Sequence, residues 1–295
     1  MAAMPDAIPF HAGVSQIADR YDGFILDVWG VIHDGMKLYP GVVDCLTRMA
    51  GAGKRFVMLS NAPRRAHAIG EAMRGMGVPA DFCRDIMSSG EATYEALAKR
   101  PDAWYAALGR RCLHVGPKRD ENLFEGLGLT RTTGAEEADF ILNTGPWRDE
   151  ETVADYETLL QAGARRKLPM ICANPDLVVI RGGTKIICAG ALALRYEALG
   201  GDVRWLGKPH ADIYDFCFSR LGIADRRRIA AIGDSLRTDV AGAAAAGIDA
   251  MLATGGIHAD EFGVAAGVQP DAAKVLAACE REGHFPAGLL PGLVW

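Results

Sequence analysis

Residues 23–31 have the sequence Gly-Phe-Ile-Leu-Asp-Val-Trp-Gly-Val, a short apolar run that stops abruptly at Asp27. Comparable apolar runs lie at 55–59, 228–232 and 249–253, and helix-length amphipathic stretches follow them. Strands without alternating polar residues are typical of a sheet that is covered on both faces, and helical crossovers make such strands parallel. The sequence therefore predicts an α/β protein built around a parallel sheet.

The middle of the chain has strand and helix candidates of its own. Further strands are expected at 111–115, 139–143 and 169–173. Helices are expected at 91–99, at 151–162 with Asp149 as the N-cap residue, and at 184–199. We therefore predict a core domain of residues 1–86, an inserted α/β domain of residues 87–202, and a return to the core over residues 203–295 that begins with a strand at 203–206.

The composition is that of an ordinary globular protein: of 295 residues, 49% are apolar and 23% are charged, and the net charge is −5. No basic stripe interleaved with aromatic residues occurs, which argues against a nucleic-acid partner. The seven cysteines are odd in number and include no CxxC pair, so neither a disulfide framework nor a zinc site is expected. Because neither a signal peptide nor a membrane-length apolar run is visible, we expect a cytoplasmic protein without a membrane partner.

Several apolar runs end in a polar residue of a chemically useful kind. Asp27 and Asp234 each end one run, Ser60-Asn61 end another, and Gly207-Lys208 follow the run at 203–206. The carboxyl ends of parallel strands lie at one edge of a sheet, where ligands bind. Each residue alone is most simply a cap or turn residue, but together they predict one shared site.

This set of groups suits phosphoryl transfer through a covalent aspartyl intermediate. One carboxylate attacks phosphorus, while an ammonium group and a divalent cation neutralise the phosphate oxygens. Without a metal, two carboxylates would repel a phosphate dianion, and ligands that are all oxygen favour Mg²⁺ over zinc. The residues therefore predict Mg²⁺ as the cofactor and a small phosphorylated metabolite as the partner.

The ordered motifs resemble those of the haloacid dehalogenase (HAD) superfamily. They are Asp27-Val-Trp-Gly-Val, Leu59-Ser60-Asn61, Gly207-Lys208-Pro209 and Gly233-Asp234-Ser-Leu-Arg-Thr-Asp239. The inserted block lies between the second and third motifs and contains Asn174-Pro175-Asp176, as in subfamily IIA, which includes nitrophenyl phosphatase-like and pyridoxal-phosphate phosphatase-like enzymes. The resemblance implies a Rossmann-like core, an inserted C2-type cap domain and phosphatase activity, and it leaves a homodimer open.

The resemblance also implies a role for each residue of the motifs. Asp27 would be the nucleophile and, with Asp234 and the backbone carbonyl of Trp29, a ligand of Mg²⁺. Ser60 and Asn61 would bind the transferring phosphoryl group, and Lys208 would bridge nucleophile and phosphate.

Asp239 would be a supporting carboxylate near the metal ligands. Its position five residues after Asp234, at the predicted start of a helix, is equally explained by a favourable charge at a helix N-terminus.

One position departs from the family pattern. Hydrolases of this type have Asp-x-Asp-Gly, but Trp29 occupies the place of the second aspartate. That aspartate would protonate the leaving oxygen and then activate water, and an indole can do neither because it has one weakly acidic N–H and no basic site. Loss of a general acid-base typically lowers the rate by ~10²–10⁴-fold.

Three interpretations of Trp29 remain open at the level of sequence. In the first interpretation, His33 or Asp34, which follow the motif, take over the proton transfer, although a simple turn with a capping Asp before Gly35 explains them better. In the second interpretation, the substrate has a good leaving group or supplies its own proton, or the aspartyl phosphate passes to an acceptor other than water. In the third, turnover is lost and the protein binds a phosphorylated ligand. We favour hydrolysis.

The cap is expected to close over the site and to select the substrate. Candidate substrate contacts are Asn174, Asp176 and Arg181, beside the flexible pair Gly182-Gly183. Arg181 could meet a second anionic group of the substrate, although a solvated arginine in a surface loop is the slightly favoured explanation.

Overall fold

The computed structural model describes residues 7–181, 184–264 and 269–295, so the pair Gly182-Gly183 lies outside the described residues. The chain divides into two compact units. The first unit contains the described residues of Met1–Ser60, Gly70–Ile86 and Lys208–Trp295, and the second contains those of Asn61–Ile69 and Met87–Gly207.

Strands and helices alternate along most of the described chain. The strands are β1 Gly23–Asp27, β2 Arg55–Ser60, β3 Ile86–Ser88, β4 Arg111–Val115, β5 Thr130–Thr132, β6 Phe140–Asn143, β7 Met170–Cys172, β8 Val178–Arg181, β9 Thr184–Ile187, β10 Val203–Trp205, β11 Ile229–Gly233, β12 Asp249–Ala253 and β13 Gly288–Leu290. The α-helices are α1 Val42–Gly51, α2 Ala66–Gly75, α3 Ser89–Lys99, α4 Ala103–Ala107, α5 Glu157–Arg165, α6 Ala189–Ala198, α7 Asp212–Leu221, α8 Ala241–Ala246, α9 Ala259–Phe262 and α10 Ala272–Glu282.

The main sheet of the first unit has six strands in the order β13-β12-β11-β1-β2-β3. β1 lies between β11 and β2 and is parallel to both. All five residues of β1 and of β11 are buried, as expected for strands that have helices on both faces. The predicted Rossmann-like α/β core is therefore confirmed.

The second unit has its own parallel sheet, in the order β10-β7-β6-β4-β5. Successive residues of β6 point to opposite faces: Ile141 packs in the core that includes α5 and α6, whereas Phe140 and Leu142 pack in the core that includes Leu97 of α3. Both faces are thus covered by helices, which agrees with the apolar residues 140–142 of the strand. In the described part of the chain, no helix combines the length and the apolar composition that a bilayer span requires.

The structure corrects the predicted point of return to the core. Val203–Trp205 forms β10, which pairs in parallel with β7 of the second unit and not with a strand of the first. Its short sequence, Val-Arg-Trp, fits the edge of either sheet, so composition alone could not decide its partner. Lys208 is the first residue of the returning segment of the first unit.

Two further predictions about the second unit were wrong. The segment predicted as a helix at 184–199 begins with β9, which forms an antiparallel hairpin with β8, because Thr184, Ile186 and Ile187 favour a strand; α6 begins only at Ala189. Asp149 is not an N-cap residue. Thr152 and Asp155 form a capping box at the start of a short 3₁₀ turn that precedes α5.

Candidate active site

Asp27 ends β1 at the carboxyl edge of the six-stranded sheet. It lies opposite Leu59 of β2, and the preceding residue, Leu26, lies opposite Ile232 of β11. Because the three strands are parallel, Ser60 and Asp234, which stand at or just past the ends of their strands, come to the same edge as Asp27. All three side chains are buried. The register of the sheet therefore gathers three of the predicted site residues.

The ammonium group of Lys208 is buried between two carboxylates. It donates hydrogen bonds to Oδ1 of Asp27, to Oδ1 of Asp239 at 2.7 Å and to the carbonyl of Leu59 at 3.2 Å. Burial is the main cause that raises the pKa of Asp27 well above its ordinary range, the charge of Lys208 opposes this rise, and the charges of Asp239 and Asp234 add to it. Lys208 thus supplies one positive charge to a site that contains three carboxylates.

Asp234 is held by two backbone segments, one at Gly30 and the other at Gly256-Ile257. Its Oδ2 accepts a hydrogen bond from the backbone N–H of Ile257 at 2.7 Å. A β-carbon at Gly30 would lie 1.9 Å from the same oxygen, and one at Gly256 would lie 2.2 Å from it. The close approach of backbone at both glycines fixes the position of the carboxylate; the only hint in the sequence was the glycine that follows Trp29.

Gly30→Ala is expected to destabilise the protein and to displace Asp234. Gly30 has a φ of +89°, which disfavours alanine, and the added methyl group would also overlap the carboxylate. Gly53→Ala is the matched control, since Gly53 also has a positive φ, +70°, but a β-carbon there would meet no atom of the described residues within 4 Å beyond its chain neighbours. In urea unfolding, Gly53→Ala should cost about 1 kcal/mol and Gly30→Ala clearly more. Equal losses would show that Asp234 does not constrain residue 30.

Asp239 lies in a π-helical turn, Leu236–Val240, directly before α8. Its Oδ1 accepts from Lys208, and its Oδ2 accepts from the backbone N–H of Ser235 at 3.1 Å. The side chain is 5% exposed. A favourable charge at a helix terminus would not require this burial or the contact with Lys208; the supporting role of Asp239 stays a prediction.

The donor set at this edge fits a divalent cation. Asp27, Asp234 and Asp239 each have an oxygen atom within 4.8 Å of the others. These three carboxylates face one ammonium group, which leaves a negative site even before a phosphate enters. Oxygen ligands of this kind are those that Mg²⁺ prefers. The residues present therefore fit the predicted metal.

The indole of Trp29 packs against the loop that follows it. Its ring lies 5.3 Å from the ring of His33 in an edge-to-face arrangement, and a β-carbon at Gly35 would lie 2.4 Å from its six-membered ring. Nδ1 of His33 accepts a hydrogen bond from the backbone N–H of Gly35 at 3.0 Å. The indole thus has packing partners in its own loop, and His33 helps to fix that loop.

Asp34 has the local role of a turn residue. Its Oδ1 accepts hydrogen bonds from the backbone N–H groups of Met36 and Lys37, both at 2.8 Å. Burial pushes the pKa of Asp34 upward, but these hydrogen bonds outweigh it and bring the pKa below its ordinary value. A carboxyl with a lowered pKa is a poor proton donor, so Asp34 is a weak candidate for the missing acid.

The remaining predicted site residues belong to the second unit and have protein partners there. Nδ2 of Asn61 donates to Oδ1 of Asp176 at 2.8 Å, and Oδ1 of Asn174 accepts from the backbone N–H of Asp176 at 3.0 Å. Arg181 is paired with Asp149 at 2.6 Å. Their predicted contacts with phosphate or substrate stay predictions.

Comparison with known proteins identifies the family. A family model described as haloacid dehalogenase-like hydrolase matches residues 24–130, and a second, described as HAD-hydrolase-like, matches residues 205–277. The crystal structure of a haloacid dehalogenase-like family hydrolase from Brucella suis 1330 is 35% identical in sequence, with a TM-score of 0.81, and the match covers 97% of this chain and all of that one. The fold and the sheet edge thus define a hydrolase of the haloacid dehalogenase class.

Two curated relatives match most of this chain. D-glycerol 3-phosphate phosphatase of Mycobacterium tuberculosis is 27% identical over 252 residues, which cover 83% of this chain and 66% of that enzyme. Chronophin of Mus musculus is 26% identical over 262 residues, 85% of this chain and 86% of chronophin. The chain belongs to the haloacid dehalogenase superfamily, in subfamily IIA, as its motifs predicted.

Proposed function

We propose that this protein is a Mg²⁺-dependent phosphatase that hydrolyses a small phosphorylated metabolite through an aspartyl-phosphate intermediate on Asp27. Its relatives identify it as a phosphoric monoester hydrolase and leave the substrate unspecified. Mg²⁺ and the intermediate are the additional elements of the proposal. The cytoplasmic location and the homodimer stay predictions.

The observation that supports the proposal most directly is the buried contact of Lys208 with both Asp27 and Asp239. A protein that only bound phosphate would be served by cations alone, whereas this site holds a carboxylate where a phosphate would approach. An ammonium group beside that carboxylate keeps it oriented and lowers the repulsion of an incoming phosphate. The arrangement therefore favours attack on phosphorus over simple binding.

In the proposed reaction, an oxygen of Asp27 forms a bond to phosphorus as the bond to the ester oxygen breaks. Ser60 and Asn61 hold phosphate oxygens, and Lys208 keeps Asp27 in position. Asp27, Asp234 and the carbonyl of Trp29 would hold Mg²⁺, which when bound supplies positive charge to the phosphate oxygens. Water then attacks the phosphorus of the aspartyl phosphate and releases phosphate, which restores the carboxylate of Asp27.

Trp29 determines which esters react best. The departing alkoxide needs a proton, and the attacking water must lose one, but the indole can provide neither transfer. An aryl phosphate releases a stable phenolate, which needs no proton to depart. An alkyl phosphate releases an alkoxide, which does need one. We therefore expect a steep dependence of the rate on the acidity of the leaving group.

The test is a phosphate-release screen with Mg²⁺ over sugar, nucleotide, glycerol and cofactor phosphates, together with 4-nitrophenyl phosphate. Turnover of 4-nitrophenyl phosphate should exceed that of alkyl phosphates, and EDTA should abolish both. Asp234→Asn should raise the Mg²⁺ concentration needed for half-maximal activity, while Asp225→Asn, which changes an exposed carboxylate paired with Arg227, should not. No release above the blank from any compound would refute a phosphatase and favour a phospho-ligand-binding protein.

A further inference from the structure

Three arginine side chains of the second unit lie near two aspartates, Asp120 and Asp149. Arg119 follows β4, Arg181 ends β8, and Arg64 lies in the segment Asn61–Ile69. We call these three residues the arginine cluster. Burial is the main cause that lowers the pKa of Arg64, and the positive charges of Arg119 and Arg181 lower it further. Geometry links the same three residues: Arg119 and Arg181 both approach Asp149, and Arg64 lies 3.6 Å from Asp120, the residue that follows Arg119.

Two aspartates lie near the arginine cluster, but they do not form hydrogen bonds with all three of its guanidinium groups. Asp149 is within 2.6 Å of Arg181 but 3.9 Å from Arg119, and Asp120 is 3.6 Å from Nε of Arg64. Of these three pairs only the first is short enough for a hydrogen bond. The five side chains have a net charge of +1, and two of the three guanidinium groups keep donors that these aspartates do not engage.

The pair of Asp120 and Arg64 is unusually loose for its surroundings. Asp120 is 1% exposed, and its Oδ1 has no hydrogen-bond partner among the residues that the structure describes. Burial raises the pKa of Asp120 to about 6, although Arg64 and Arg119 oppose the rise. Asp120 also has Thr144 as a side-chain partner, and at 3.6 Å it does not engage all the donors of Arg64.

We propose that the arginine cluster of Arg64, Arg119 and Arg181 is a binding site for an oxyanion, a carboxylate or a phosphate, within the second unit. Planar guanidinium groups bind such anions through paired N–H donors. All three side chains are partly exposed, at 32%, 43% and 24% respectively, so an anion in solution can reach them. Asp149 forms an ion pair with Arg181, and the buried Asp120 lies 3.6 Å from Arg64.

The anion that binds to the arginine cluster comes from one of two sources. It is either a free anion or the second anionic group of a phosphorylated substrate, in which case the inference rests on the proposed function. Two phosphate esters separate these sources: 3-phosphoglycerate has a carboxylate where glycerol 3-phosphate has a neutral hydroxymethyl group. Free D-glycerate has the same carboxylate and no phosphate.

The experiment measures binding of these three compounds by calorimetry to the full chain with Mg²⁺. Asp27→Asn is the background, so that no ligand is consumed and the result does not depend on turnover. The double variant Arg119→Gln/Arg181→Gln removes two charges of the cluster. Arg195→Gln is the control, because Arg195 is an ion-paired arginine of the same unit that contacts Glu157. Thermal melting verifies that each variant is folded.

If the substrate supplies the anion, 3-phosphoglycerate binds about tenfold to hundredfold more tightly than glycerol 3-phosphate. The double variant then loses this difference and the control keeps it. If a free anion is the ligand, D-glycerate binds by itself, and the double variant abolishes that binding. The proposal is overturned if the folded double variant binds all three compounds as Asp27→Asn alone does, or if no carboxylate-dependent binding is found. Binding of glycerol 3-phosphate alone would leave the proposed phosphatase intact while refuting the anion site.

Discussion

Asp27→Asn should abolish phosphate release from every substrate, by about 10³-fold or more, as expected when a reacting nucleophile is removed. The amide cannot attack phosphorus, and it also weakens the contact that positions Lys208. The variant should still fold, because Lys208 keeps Asp239 and the carbonyl of Leu59 as partners. Initial rates with 4-nitrophenyl phosphate and with the best alkyl phosphate provide the measurement.

The control for this variant is Asp44→Asn, which changes an exposed carboxylate of α1 paired with Arg48. It should leave the rate unchanged. A second measurement tests the chemistry itself: beryllium trifluoride with Mg²⁺ should form an adduct with the wild-type protein and none with Asp27→Asn. If Asp27→Asn retains more than a few per cent of the wild-type rate, the aspartyl-phosphate mechanism is wrong.

Trp29→Asp should raise the hydrolysis of alkyl phosphates by roughly 10²–10⁴-fold, the typical contribution of a general acid-base. The new carboxyl group would protonate the leaving oxygen and then accept a proton from water. Its backbone carbonyl is unchanged, so the predicted metal ligand is kept. Hydrolysis of 4-nitrophenyl phosphate should rise much less, because its leaving group needs no proton. The measurement is kcat for the two classes of ester.

Trp29→Asn separates proton transfer from the loss of the indole. Both variants remove the packing of Trp29 against His33 and Gly35, so both should melt at a lower temperature than the wild type. Only the aspartate should accelerate alkyl esters. Equal rates for the two variants would mean that another group already moves the proton, with His33 the next candidate. A loss of activity in both would assign Trp29 to loop packing or substrate contact.

Much of the site could be predicted because it depends on the ends of strands. The apolar runs before Asp27, Ser60 and Asp234 end at a sheet edge in any parallel arrangement, so their convergence follows from the pattern of residues. The positions of Asp34 in a turn and of Asn174 beside Asp176 are also local, since each involves hydrogen bonds between residues three or fewer positions apart.

Other features could not be predicted because they depend on contacts between distant segments. The run at 203–206 was expected to lead Lys208 into the core sheet, yet its residues 203–205 pair with β7, and Lys208 reaches Asp27 from a loop. The N–H of Ile257 and the bare backbone of Gly256 beside Asp234 left no distinctive pattern in the sequence. The arginine cluster likewise unites three segments that are unrelated in sequence.

The sequence by itself determined the parallel α/β architecture, the inserted domain and the superfamily, because apolar periodicity and short motifs are properties of local segments. It also determined that Trp29 replaces the usual acid. Only the tertiary structure decided which carboxylates share Lys208, which backbone atoms hold Asp234, and which sheet receives β10. Those choices depend on the packing of segments up to 181 residues apart, and a buried charge is stable only where that packing supplies its partner.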